Sequence, residues 1–78
     1  MANGEYGSGN ITQVHRAFGI GCIKPQSGGS EVVLFTKEVV KGGDNAFQDL
    51  AEHALVKFRL YPRKIGGLDF AEDVVPQN

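Results

Sequence analysis

The stretch "RAFGIGCI", residues 16–23, decides how this chain folds. Gly19 and Gly21 flank a single apolar residue in a run that is otherwise suited to a strand. Glycine inside a strand weakens it, and marks a sharp bend or a place where another group comes very close. A strand over Gly19 to Ile23 therefore belongs to a small, strongly curved sheet.

Short strand runs lie on both sides of it. Upstream, Ile11 to Val14 form a first run, closed by "HRAFG". Downstream, Pro25 stops the second run, and "PQSGGSE" reads as a hairpin connection whose glycines tolerate positive φ. The third run, "EVVLFT" over residues 31–36, is β-branched and aromatic throughout, as a strand with two partly covered faces should be.

After residue 36 two periodicities overlap. Phe47, Leu50, Ala51, Ala54, Leu55 and Phe58 fall at helical spacing, with Asp44 or Asn45 placed to cap a helix. Val56, Phe58 and Leu60 alternate with Lys57, Arg59 and Tyr61, the pattern of a strand with one wet face. A short helix near 45–52 followed by a strand near 54–61 satisfies both. Pro62 ends that strand, "RKIGG" turns the chain and "LDFAEDVV" supplies a fifth. The expected fold is all-β: a small five-stranded antiparallel OB-type barrel with a short helix between strands 3 and 4.

The composition suits one small domain. The chain has 78 residues, 41% of them hydrophobic, and a formal net charge of −1, so no global basic field advertises a nucleic-acid partner. The single cysteine, Cys22, makes no internal disulfide, which points to a reducing, cytoplasmic setting. Neither His15 nor His53 has a partner at metal-ligand spacing, so neither a metal nor another cofactor is expected. No apolar run is long enough to span a bilayer, and "MANGEYGSGN" lacks the basic and apolar regions of a signal peptide. Residues 1–8 read as a flexible arm, 9–75 as the barrel and 76–78 as a tail.

With these runs in place, the chain resembles the cold-shock domain family over roughly residues 9–74. Gly9 stands ahead of "GIGCI" as that family's first glycine stands ahead of its "GFGFI", and "KPQSGGSEVVLFTKEV" follows in the register of its second and third strands. "FQDLAEHALVKF" lines up with the family's F-x-x-L-x-x-G-x-x-V-x-F. The chain departs from it in a longer loop at "VKGGDNA" and in His53, where glycine is usual.

The resemblance implies single-stranded RNA or DNA binding by bases stacked on displayed rings. Matched position by position, the ring-bearing sites hold Gln13, Val14, Ile20, Cys22, Val33, Phe35, Thr36 and Phe47, so only Phe35 and Phe47 keep a ring. Each stacked base is worth roughly 1–3 kcal/mol, so six lost rings nominally remove about 6–18 kcal/mol. A micromolar complex has only about 8 kcal/mol in total. The implied binding is weak, of low sequence specificity and salt-dependent.

Beside Phe35 and Phe47, the candidate nucleic-acid residues are Phe18, which stands where the family has a lysine, and Lys57, Arg59 and Tyr61 on one strand face. Arg63 and Lys64 in the following turn complete the set, and Glu31 matches a family acid that accepts a base hydrogen bond. Alanine at both Phe35 and Phe47 is expected to abolish binding without unfolding the domain. The alternative is a protein-interaction or self-association module, with Ile20, Cys22, Val33 and Phe35 as an apolar docking patch. No catalytic constellation stands out, and the carboxylates have the spacing of surface charge.

Overall fold

The run containing Gly21 is the second strand of a barrel. The computed structural model describes residues 6–27 and 32–77. Its strands are β1 (Gly7–His15), β2 (Ile20–Pro25), β3 (Val33–Thr36), β4 (Leu55–Leu60) and β5 (Asp69–Pro76). A 3-10 turn (Lys37–Val39) and a six-residue helix, α1 (Gly43–Gln48), lie between β3 and β4. The strands close in the order β1-β2-β3-β5-β4, with β4 pairing back onto β1, so the fold is a small OB-like barrel.

One seam departs from the antiparallel expectation: β3 and β5 pair in parallel, at Val33–Asp69 and Leu34–Phe70. The reason is arithmetic. A closed ring with an odd number of strands cannot alternate direction all the way round, so one pair must run parallel.

β1 serves two partners. Residues 7–10 pair with β4, while residues 9–15 pair with β2, with a bulge between Ile11 and Gln13 that bends the strand. At Gly9 the neighbours leave no room for a side chain: a Cβ would meet Ile23 Cγ2 at 2.5 Å and the Lys24 carbonyl oxygen at 2.7 Å. Gly7 and Ser8, expected in the arm, are strand residues opposite Phe58 and Lys57. The rest of the expected arm, residues 1–5, lies outside the described residues. So do residue 78 of the tail and residues 28–31 of the hairpin connection, Glu31 among them. Pro76 closes β5, and the Gln77 amide donates to the Leu55 carbonyl.

The core is filled by inward-facing residues of every strand. Ile11, Ile23, Val33, Phe35, Val56, Phe58, Ala71 and Val74 point inward, and Val40, Phe47 and Leu50 add to them from the segment around α1. The helix is shorter than its apolar spacing suggests. Phe47 and Leu50 are buried, while Ala51 is exposed beyond the helix end. Gly42, rather than Asp44 or Asn45, occupies the N-cap position; Asp44 lies in the first turn and forms an ion pair with Lys37 at 3.8 Å.

Candidate nucleic-acid interface

Strand parity decides which of the expected residues reach solvent. On β2, Gly21 and Ile23 point in while Ile20 and Cys22 point out; on β3, Val33 and Phe35 point in while Leu34 and Thr36 point out. The pairing Ile20–Thr36 and Cys22–Leu34 therefore sets two outward rows. The first continues onto β1 at His15 and the second at Gln13, and Leu34 is matched on β5 by half-buried Phe70.

This corrects the expected ring inventory. Phe35 and Phe47 are both fully buried, with their rings edge-to-face at 6.2 Å between centroids in the core. No base can stack on either without opening the barrel. Val33 is buried as well, so of the expected docking patch only Ile20 and Cys22 lie on the outer face. A one-residue slip in strand register exchanges the faces, and the outward positions of β3 belong to Leu34 and Thr36. Of the matched ring sites on β2 and β3, only Ile20, Cys22 and Thr36 face out. A parity check on β3 finds the error, because Phe35 and Thr36 are neighbours and cannot both face out.

Phe18 is the most exposed ring among the described residues. It is 80% exposed, on the turn 16–19 between β1 and β2. Its amide donates to the His15 carbonyl at 3.1 Å, and Gly19, at φ 69°, turns the chain into β2. The Lys37 amide donates to the Gly19 carbonyl at 2.9 Å, which anchors the turn beside the end of β3. Gln13 and His15 lie beside it on β1, linked through Oε1 and Nε2 at 2.9 Å.

The loop between β4 and β5 flanks the other end of the face. Lys64, Leu68 and Asp69 line a shallow cavity of about 280 Å³ with Val32 and Leu34. Lys64 Nζ lies 3.2 Å from Asp69 Oδ2, Arg63 is exposed, and half-buried Tyr61 donates its amide to the Phe70 carbonyl at 2.7 Å. Exposed Val32, Ile65 and Leu68 give this end an apolar character.

Lys57 and Arg59 are on β4, which lies between β1 and β5 and away from the β2–β3 face. Arg59 is already engaged. Its Nε is 3.1 Å from Glu72 Oε1, its Nη2 is 3.9 Å from Asp73 Oδ2, and its guanidinium carbon is 5.5 Å from the centre of the Tyr6 ring. The Tyr6 hydroxyl donates to Asp73, which closes the cluster. Two carboxylates beside one guanidinium leave little field for a phosphate, whereas Lys57 is exposed on the same strand.

Burial pushes the Cys22 thiol above its ordinary value, so it stays protonated at neutral pH and is a poor nucleophile. Among the described residues no group of three or more His, Cys, Asp or Glu side chains is placed to hold a metal ion. No helix among them is long and apolar enough to cross a membrane.

No known protein-family model matches this chain, and no curated protein matches it.

Proposed function

We propose that the barrel binds single-stranded RNA or DNA weakly and with little sequence preference, through the outer face of β2 and β3. In five-stranded barrels of this topology, that face and the loops after β1 and β4 are the usual ligand-binding surface. The observation that carries the reading is the placement of Phe18: the most exposed large apolar side chain described stands on the β1–β2 turn, beside the row His15, Ile20 and Thr36. An exposed ring at the end of such a row is a stacking platform, and one ring supplies far less than several. Arg63, Lys64 and Tyr61 on the opposite loop add phosphate and ring contacts, and Lys57 adds charge from the side. The cold-shock resemblance supports the same ligand class, with the ring positions redrawn by strand parity.

An amide-shift titration with oligo-U and oligo-T tests this. Shifts are expected at residues 13–22, 34–36 and 61–68, shrinking as salt rises. Absence of shifts at low salt and high ligand excess overturns it.

A second reading is favoured by the outward row Cys22, Leu34 and Phe70, with Ile20 in the adjoining row and Val32 and Leu68 nearby: a face for a protein partner or a second copy. Leu34→Lys separates the two. It strengthens oligonucleotide binding under the first and abolishes protein association under the second, as read by titration and by light scattering.

A further inference from the structure

The turn that displays Phe18 joins the paired residues His15 and Ile20, and backbone bonds tie it at both ends. Its described backbone bonds are those of Phe18 and Gly19 to the carbonyls of His15 and Arg16, and that of Gly19's own carbonyl to Lys37. The remaining tie runs through a side chain. Arg16 Nε donates to the Gln48 carbonyl at 3.1 Å, and Arg16 Nη2 donates to the Leu50 carbonyl.

Those carbonyls are at and just beyond the end of α1. The last carbonyls of a helix have no partner within it, and a cation there is favoured by the helix dipole as well as by hydrogen bonding. Arginine does this with two donors in a rigid fork; lysine carries the same charge without the fork. The segment being clasped is itself fixed, because Phe47 and Leu50 on either side of Gln48 are buried in the core. Arg16 thereby couples an exposed turn to a segment anchored in the core.

We propose that Arg16 is a positioning residue: by clasping Gln48 and Leu50 it fixes the β1–β2 turn and holds the Phe18 ring at the edge of the β2–β3 face. The clasp stands on geometry alone, and its effect on ligand affinity rests on the nucleic-acid reading above.

The test compares the wild type with Arg16→Ala and Arg16→Lys. Backbone amide relaxation at residues 16–19 of the free protein reports the clasp, and oligo-U titration at two salt concentrations reports affinity. Ile23→Val, which costs stability inside the core without touching the turn, is the control. Both Arg16 variants are expected to loosen residues 16–19. Both should weaken oligo-U binding about fivefold or more, the range for one misplaced stacked base, with the salt slope unchanged. The control should leave affinity as it is. Unchanged relaxation in Arg16→Ala overturns the clasp, whatever the ligand. Full affinity in Arg16→Lys, with a reduced salt slope in Arg16→Ala, overturns positioning in favour of direct phosphate contact. If the wild type itself fails to bind oligo-U, the nucleic-acid reading falls, and the relaxation comparison still decides the clasp.

Discussion

The ring of Phe35 occupies the space that a side chain at position 21 would need. The two residues are paired across β2 and β3, and a Cβ on Gly21 would meet Phe35 Cζ at 2.3 Å and Cε1 at 2.6 Å. The glycine in "GIGCI" is thus half of a packing pair, the other half being the largest class of side chain in the core. Neither can change alone.

Gly21→Ala is expected to destabilise the barrel by about 1–3 kcal/mol, the usual cost of overpacking a filled core. Phe35→Leu in the same chain should recover part of that loss, so the two changes are non-additive. Urea denaturation of the two single variants and the double variant checks this. An unchanged midpoint for Gly21→Ala would show that the ring moves aside freely.

Phe35→Ala and Phe47→Ala act on stability rather than on a ligand face. Each should cost about 3–5 kcal/mol, against about 4–12 kcal/mol for a whole domain of this size. The double variant is therefore expected to be unfolded at room temperature, contrary to the expectation from sequence. Phe18→Ala, by contrast, should shift stability by less than about 0.5 kcal/mol while reducing oligonucleotide binding. Circular dichroism melts read alongside the titrations distinguish the two kinds of phenylalanine.

His53 has φ 73°, the left-handed region that residues with a Cβ disfavour. Its backbone holds two useful bonds there: its amide donates to the Ile11 carbonyl at 2.7 Å, and its carbonyl accepts from Asn10 Nδ2 at 3.1 Å. Both survive replacement of the side chain. His53→Gly removes about 1–2 kcal/mol of strain and adds about 0.5–1 kcal/mol of unfolded-chain entropy. A net gain of about 0.5 kcal/mol is expected, small but measurable as a raised denaturation midpoint. A lowered midpoint would mean that the imidazole makes a contribution of its own.

The hydrogen bond to Asp73, with desolvation and the Asp73 charge adding to it, holds the Tyr6 hydroxyl above its ordinary value of 10.0. A raised folded-state value means that the protonated phenol is the form the fold favours. Its contribution is complete below the ordinary value and is lost as pH rises through the folded one. Absorbance at about 295 nm during alkaline titration should show a tyrosine ionising late, as expected for a phenol that donates to a carboxylate. Tyr6→Phe should remove that late component. Persistence of the late component in the variant would overturn its assignment to Tyr6.

Much of the barrel was legible in the residues themselves. The alternation of Val56 and Phe58 with Lys57 and Arg59 placed β4 correctly, and Pro62 and "RKIGG" marked the turn that follows. Closure of five strands already required one parallel seam, which strand patterns taken singly do not reveal. The site was harder to read because β3 is short and apolar on both faces: "VLFT" carries no polar residue until its end, so nothing in it marks the wet side. The missing information was cross-strand. Gly21 faces inward because Phe35 needs its space, and once those two are matched, Leu34 and Thr36 must face out. Arg16 gave no signal at all, since the carbonyls it clasps are more than thirty residues away along the chain.

The neighbours of β4 have a consequence for chain connectivity. Phe58 is flanked by Gly7 on one side and Val74 on the other, so the start of β1 and the end of β5 lie two strand spacings apart, about 10 Å. A linker of a few residues can join them, and the exposed Gly66–Gly67 turn offers a place to cut. The barrel's native sheet is then compatible with a permuted chain that begins at β5 and ends after β4. The order of the strands around the ring is set by their side chains, and the point at which the chain starts is incidental to it.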